Sequence, residues 1–193
     1  QTNHGSRQTS YTMQVEAGRS YNIQIDFEYI RGNAQLNFDL GFREEINIEK
    51  SIEAVKNADV VLFVGGISPS LEGEEMGVNL PGFRGGDRTD IELPAVQREF
   101  LAALHKAGKK TVFINCSGSP IAMTPETDHC EAILQAWYPG QSGGQAVADV
   151  LFGEYNPAGR LPVTFYKNTA QLPDFEDYNM TGRTYRYMTA EPL

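Results

Sequence analysis

The chain has 193 residues, enough for one ordinary domain and a small appendage and too few for a complete two-domain enzyme at roughly 100 to 200 residues per domain. Hydrophobic residues make up 40% of it and charged residues 21%, which excludes a disordered or low-complexity chain and implies a core. The 16 Lys and Arg against 25 Asp and Glu give a formal charge of -9, a balance that repels phosphate backbones and anionic lipid, so neither nucleic acid nor membrane is an expected partner.

Tyr11, Met13 and Val15, then Tyr21, Ile23, Ile25, Phe27 and Tyr29, recur at period 2, the alternation of a half-buried strand. After Arg31-Gly32-Asn33 it resumes with Leu36, Phe38 and Leu40. Residues 11–41 therefore read as an antiparallel meander whose apolar face needs a partner. Nothing else in the first 45 residues supplies one, which marks 1–44 as the tail of a larger β domain and 45–193 as a second unit.

The pattern changes at Glu44. Glu49 to Asn57 carries Ile52 and Val55 on one helical face, and Asp59 to Gly66 is a short apolar run of a strand buried on both faces. Ala95 to Lys106 is again helical and stops at Gly108. Thr111 to Cys116 and Ala132 to Trp137 are further strands, Gly144 to Phe152 a helix, and Leu161 to Phe165 an extended stretch. Helices alternating with buried strands predict an α/β fold, a mostly parallel sheet with helices on both faces, preceded by the short antiparallel segment.

In such sheets the functional loops lie beyond the carboxyl ends of the strands. Three qualify: Ile67 to Pro94, Ser117 to Pro120, and Tyr138 to Gly144. The first, at roughly 27 residues, far exceeds the usual 2 to 6 for such a connection. It holds Glu72-Gly73-Glu74-Glu75 and Gly85-Gly86-Asp87-Arg88-Thr89-Asp90. Clustered carboxylates suit general acid catalysis, since like charge and partial burial raise one pKa toward working pH, and equally describe a solvated acidic loop. Asp87 and Arg88 read as an ion pair closing the loop. Gly65-Gly66 lacks the GxGxxG pattern of a dinucleotide site, and Ser117-Gly118-Ser119 lacks the GxSxG setting of a hydrolase serine. Cys116 and Cys130 form no CxxC pair and, even with His105 and His129, no zinc set. His105 suits the end of its helix as a partner for the dipole. No metal or cofactor is expected.

Asn57 to Gly65, Leu71-Glu72-Gly73-Glu74-Glu75 through Gly86-Asp87-Arg88 to Pro94, Ala136-Trp137-Tyr138-Pro139-Gly140-Gln141-Ser142-Gly143-Gly144, Asn156 to Phe165 and Tyr185-Arg186-Tyr187 together resemble the C-terminal α/β sandwich domain of glycoside hydrolase family 3, of the β-xylosidase and β-glucosidase type. The resemblance covers about residues 49–190. It implies that residues 1–44 are the last strands of an inserted PA14-like β domain, and that the chain is a fragment, because the family's N-terminal barrel with its Asp nucleophile has no counterpart in it. It further implies a retaining glycosidase acting on a glycoside or oligosaccharide with terminal β-linked xylose or glucose, with the barrel of the same parent as partner domain and a periplasmic or secreted location. The general acid/base is carried over to Glu72 or Glu74, with Glu75 a distant third, since Glu75 stands where many relatives have glycine. Trp137 and Phe83 offer faces for sugar stacking, Trp137 also reading as packing at a strand end. A carbohydrate-binding or interaction module without chemistry is the alternative.

Overall fold

The structure is a computed structural model and describes residues 10–28, 36–42, 44–72 and 77–193. It divides into two units, Gln1–Glu44 and Glu45–Leu193. In the first unit the described residues form no strand, which corrects the meander expected over 11–41. The expected turn at Arg31-Gly32-Asn33 lies outside the described residues. The physical reason is in the pattern itself. Ile23, Ile25, Phe27, Leu36 and Phe38 are all exposed because no second layer among the described residues of this unit covers them, and strand pairs without cover are marginal in water. The chain turns at Ala17-Gly18, with Gly18 at φ 80°.

The second unit runs α1 (Ile48–Ala54), β1 (Val60–Gly66), α2 (Pro69–Glu72), β2 (Asn79–Leu80), β3 (Phe83–Arg84), β4 (Asp87–Arg88), α3 (Ala95–Lys106), β5 (Lys110–Cys116), α4 (Thr124–His129), β6 (Ala132–Gln135) and α5 (Gly143–Leu151), with a 3-10 turn at Thr169–Gln171. Asn47 starts α1 by accepting the Lys50 N–H on its Oδ1 at 2.7 Å, which satisfies one of the unpaired donors of a helix start. The three longer strands make a parallel sheet in the order β1-β5-β6, with Phe63 opposite Phe113 and Asn115 opposite Gln135. Parallel neighbours require a crossover, and α3 and α4 supply the two.

Leu101 and Leu104 of α3 are fully buried with Phe113, and Ile52, Val55, Val61, Phe63 and Phe100 pack against them. Phe63 lies 5.5 Å from Phe100 and 5.7 Å from Phe113, centroid to centroid. Central β5 buries Phe113 and Asn115 from one face and Ile114 from the other. β1 does not match the expectation of burial on both faces. It is an edge strand, and Val60, Leu62 and Val64 are 48%, 49% and 68% exposed. Cys116 and Cys130 are free thiols, and burial raises both above the ordinary thiol pKa, Cys130 to about 11 with Glu126 adding to it. His105, near the end of α3, stacks on His129 of α4 with ring centroids 5.1 Å apart.

Between β1 and α3 the described residues carry regular structure that a plain loop lacks. Pro81-Gly82 turns β2 into β3, and Gly85-Gly86 turns β3 into β4. Gly85 and Gly86 have φ 59° and 94°, the positive pair that a type I′ hairpin turn demands and that suits glycine. Among the described residues the antiparallel sheet lies here. At the neck of this excursion Gln97 of α3 accepts the Gly66 N–H on Oε1 and donates from Nε2 to the Gly66 carbonyl, both at 2.7 Å.

A second side-chain device ties helices to the C-terminal segment. Arg98 donates from Nε to Glu126 at 2.8 Å, from Nη2 to the Ala122 carbonyl at 2.9 Å, and from Nη1 to Glu92 at 3.0 Å. Glu92 in turn accepts the Thr169 N–H at 3.0 Å, beside a parallel bridge from Glu92 to Ala122. Glu126 is fully buried, so Arg98 is what makes its burial tolerable.

Candidate active site

The carboxyl ends of β1, β5 and β6 meet at one carboxylate. Glu72, the last residue of α2, accepts the Ser119 hydroxyl on Oε1 at 2.7 Å and the Tyr138 phenol on Oε2 at 2.6 Å. Each partner follows a different strand of the sheet. Between them lies Gly118, where an added Cβ would stand 2.6 Å from Tyr138 Cε2 and 2.7 Å from Glu72 Oε2; the site closes only over a residue without a side chain. Tyr138 is aimed by its neighbour. Trp137 has φ 58°, a region costly for a bulky residue, and this ends β6 after Gln135 instead of at Trp137 and turns the chain toward Glu72. Trp137 itself packs edge-on against Phe165, centroids 6.0 Å apart.

Arg88 holds the platform from below. Its Nη1 donates to the Ser119 Oγ at 3.2 Å and to the Pro120 carbonyl at 3.0 Å, its Nη2 to the Glu92 carbonyl at 3.2 Å, and its guanidinium lies 5.9 Å from the Phe83 ring centroid. Burial lowers its pKa, against the opposing pull of Asp90, Glu72 and Glu92; an arginine so placed remains a cation. The expected Asp87–Arg88 ion pair is corrected. Arg88 does close the loop, through Ser119 and two carbonyls, because adjacent residues of a strand point to opposite faces and Asp87 faces solvent while Arg88 turns inward.

Tyr138 shows the electrostatics of the site most directly. Burial first, then the hydrogen bond and charge of Glu72, push its phenol up to about 12, while the Gly118 N–H and Arg88 pull the other way. Ser119 donates to the Glu72 carboxylate and at the same time accepts from the Arg88 cation, which draws electron density from its oxygen and works against its use as a nucleophile.

Of the two carboxylates expected to carry the chemistry, Glu72 is in the site, and Glu74, like Glu75, lies outside the described residues. Phe83 offers no sugar-stacking face; it is 6% exposed and belongs to the core. Ser117 is buried and receives hydrogen bonds from Gln135 and Asn115. Ser119 and Tyr138 are the partners that sequence reasoning left without a role, although both lie within three residues of the end of a strand. Among the described residues no three His, Cys, Asp or Glu side chains are placed to hold a metal ion, and no helix is long and apolar enough to cross a membrane.

The sequence pattern of the Glycosyl hydrolase family 3 C-terminal domain matches residues 2–192. The chain belongs to glycosyl hydrolase family 3. It is 57% identical over 180 residues to a xylan 1,4-beta-xylosidase of Xylanibacter ruminicola, covering 93% of this chain and 21% of that protein. With a periplasmic beta-glucosidase of Salmonella typhimurium the identity is 38% over 138 residues, 72% of this chain and 17% of the other. Among solved structures, a GH3 exo-beta-xylosidase (XlnD) in complex with a xylobiose aziridine probe superposes with TM-score 0.61 at 30% identity, over 75% of this chain and 19% of that one. A GH3 beta-glucosidase of Bifidobacterium adolescentis gives TM-score 0.58 at 34% identity, over 68% and 18%. This family 3 domain therefore spans about a fifth of the length of the curated relatives it matches. Its parallel sheet flanked by helices is the fold expected of the family, and the Glu72 cluster stands at the strand ends of that domain.

Proposed function

We propose that this domain supplies the general acid/base of a retaining glycosidase cleaving terminal β-linked xylose or glucose, on the stretch Glu72-Gly73-Glu74, to a nucleophilic Asp on an N-terminal barrel of the same parent. The observation that carries this reading is the convergence of three strand-end loops on the first of those carboxylates. The 57% identity to a protein named as a xylosidase favours xylose. In the first step the nucleophilic carboxylate bonds to the anomeric carbon, the bond to the leaving oxygen breaks, and that oxygen takes the proton of the acid. In the second step water gives its proton back to the same carboxylate while its oxygen displaces the enzyme ester. The two carboxyl groups of such enzymes stand about 5 to 5.5 Å apart, so the loop closes over the barrel and excludes water.

A periplasmic or secreted location is supported by the Salmonella relative's name. The period-2 alternation of residues 11–41 supports a PA14-like insert ending at Glu44. Full-length parent protein assayed on nitrophenyl β-xyloside and β-glucoside tests the function: turnover with retained anomeric configuration is expected, and no turnover of either would end the reading.

A further inference from the structure

A row of amides crosses the parallel sheet one layer below the candidate site. Side chains alternate along a strand, so Phe113 and Asn115 of β5 share a face, the one that packs on α3. Phe113 lies in an apolar row with Phe63 and Ile133, and the next row toward the carboxyl ends is Gly65, Asn115 and Gln135. Asn115 is fully buried. Its Nδ2 donates to Gln135 Oε1 at 2.6 Å and, less closely, to Ser117 Oγ at 3.4 Å, while Gln135 Nε2 donates to the same Ser117 oxygen at 3.1 Å. The Asn115 Oδ1 is turned the other way, to β1, where a Cβ on Gly66 would stand 2.7 Å from it, and a Cβ on Gly65 would collide with Gln97 Oε1. The two glycines leave the space that these amides fill.

We propose that Asn115 and Gln135 are positioning residues, whose buried amides fix the directions in which the loops bearing Ser119 and Tyr138 leave the sheet, and with them the place of the Glu72 cluster. As a statement about the reaction this rests on the function proposed above and deepens it. Connectivity supports it first. Ser117, which takes both amide donors, stands next but one to Ser119, and Gln135 lies three residues before Tyr138. The Ala136 N–H also donates to the Asn115 carbonyl at 2.9 Å, so the approach to Tyr138 is tied to Asn115 through the backbone as well. Energetics supports it second. The Asn115 Oδ1 has no donor among the described residues, and a buried acceptor left unmet costs stability. Apolar side chains of similar shape throughout the row would be neutral or favourable by comparison, so stability does not account for the amides. Hydrogen bonds prefer a narrow range of angles, whereas apolar contacts have no direction. What the amides add is a fixed geometry, as a buried polar network imposes on its surroundings. Reacting groups need that, since a misplacement of about 1 Å costs on the order of 100-fold in rate.

The test makes the row apolar by combining Asn115→Leu, Gln135→Met and Ser117→Ala. In this chain the urea midpoint of the triple variant should match or exceed that of the wild type. The Tyr138 phenol, at about 12 in the wild type, should move toward the ordinary value of about 10 as its packing and its bond to Glu72 loosen. In the full-length parent assayed on nitrophenyl β-xyloside, the same substitutions should lower kcat by about 10- to 100-fold with KM little changed, the pattern of an interaction made in the transition state alone. A merely structural row would instead lower the midpoint and leave the phenol and kcat of the folded protein where they are. If the triple variant does not fold, Gln135→Met, at a half-buried position, carries the same expectation at smaller size. A phenol that stays at its wild-type position, or an active parent whose kcat does not change, overturns the proposal. A parent inactive before any substitution overturns the functional reading alone, since the phenol of this chain still decides whether the row positions the cluster.

Discussion

Tyr138 carries the most accessible signature of the site. Its folded pKa is raised to about 12 by burial and by Glu72, so the neutral phenol is the favoured form. Its contribution to stability is therefore complete below the unfolded value near 10 and is lost as pH rises toward 12. An ultraviolet titration should show a phenol ionising near pH 12; Tyr138→Phe should remove it, and Glu72→Gln should bring it forward by removing the neighbouring charge. An unchanged titration in Glu72→Gln would contradict the contact. Gly118 makes a steric prediction at the same place. Gly118→Ala puts a methyl 2.6 Å from the Tyr138 ring, and overpacking of that kind costs about 1–3 kcal/mol, to be read as a lower urea midpoint together with an earlier phenol titration. None of these contacts is visible as a motif. Glu72, the Gly118-Ser119 pair and Tyr138 lie far apart in sequence, and only the parallel register of β5 with its two neighbours brings their ends together.

At the scale of elements, the Arg98 clamp is the clearest test of how α3, α4 and the C-terminal segment are joined. Arg98→Met leaves the fully buried Glu126 without its cation and should cost about 3–5 kcal/mol in denaturant unfolding, while Arg98→Met with Glu126→Leu should recover most of the loss. Glu92 gives the clamp a pH dependence. Burial would raise its pKa, and the hydrogen bonds from Thr169 and Arg98 outweigh burial and lower it. A carboxylate depressed in the folded state contributes stability above its unfolded pKa and loses it as pH falls through the folded one. Thermal unfolding followed from pH 6 downward should thus fall less steeply in Glu92→Gln than in the wild type. Element by element, legibility followed apolar content. β1 and β5 were readable to within a residue because long apolar runs have few other uses, and α3 because Val96, Phe100, Leu101 and Leu104 repeat at helical spacing. α4 was missed, since Thr124-Pro125-Glu126-Thr127-Asp128-His129 has no apolar face; it is held by Arg98. The β2-β3-β4 hairpins were missed although Gly85-Gly86 is a turn signal, because their strands are too short to show alternation. Leu161 to Phe165, expected to be extended, forms no strand and contributes Phe165 to the core.

For the molecule as a whole, the proposed split site predicts that this chain by itself turns over neither nitrophenyl β-xyloside nor β-glucoside, since that proposal puts the nucleophile on another domain and loss of a nucleophile normally costs several orders of magnitude. Steady hydrolysis by the purified chain would contradict the division of labour. The α/β class and the family were legible from strand order and loop motifs together. The layering was not: β1 reads as a two-sided core strand, yet whether an apolar side chain is covered depends on what else packs there, which local pattern cannot report. Gln97 occupies both backbone groups of Gly66, so the two ends of the excursion from 67 to 94 are fastened to each other at a neck. Within that neck Phe83 and Leu93 reach the core and Glu72 and Arg88 reach the strand ends, and doubling the length of the rest adds only about 0.6 kcal/mol of closure entropy. Exchanging the remainder of this loop between relatives, with Phe83, Arg88, Glu92, Leu93 and Gln97 retained, is therefore a route to altered leaving-group preference that keeps the loop's ties to the scaffold.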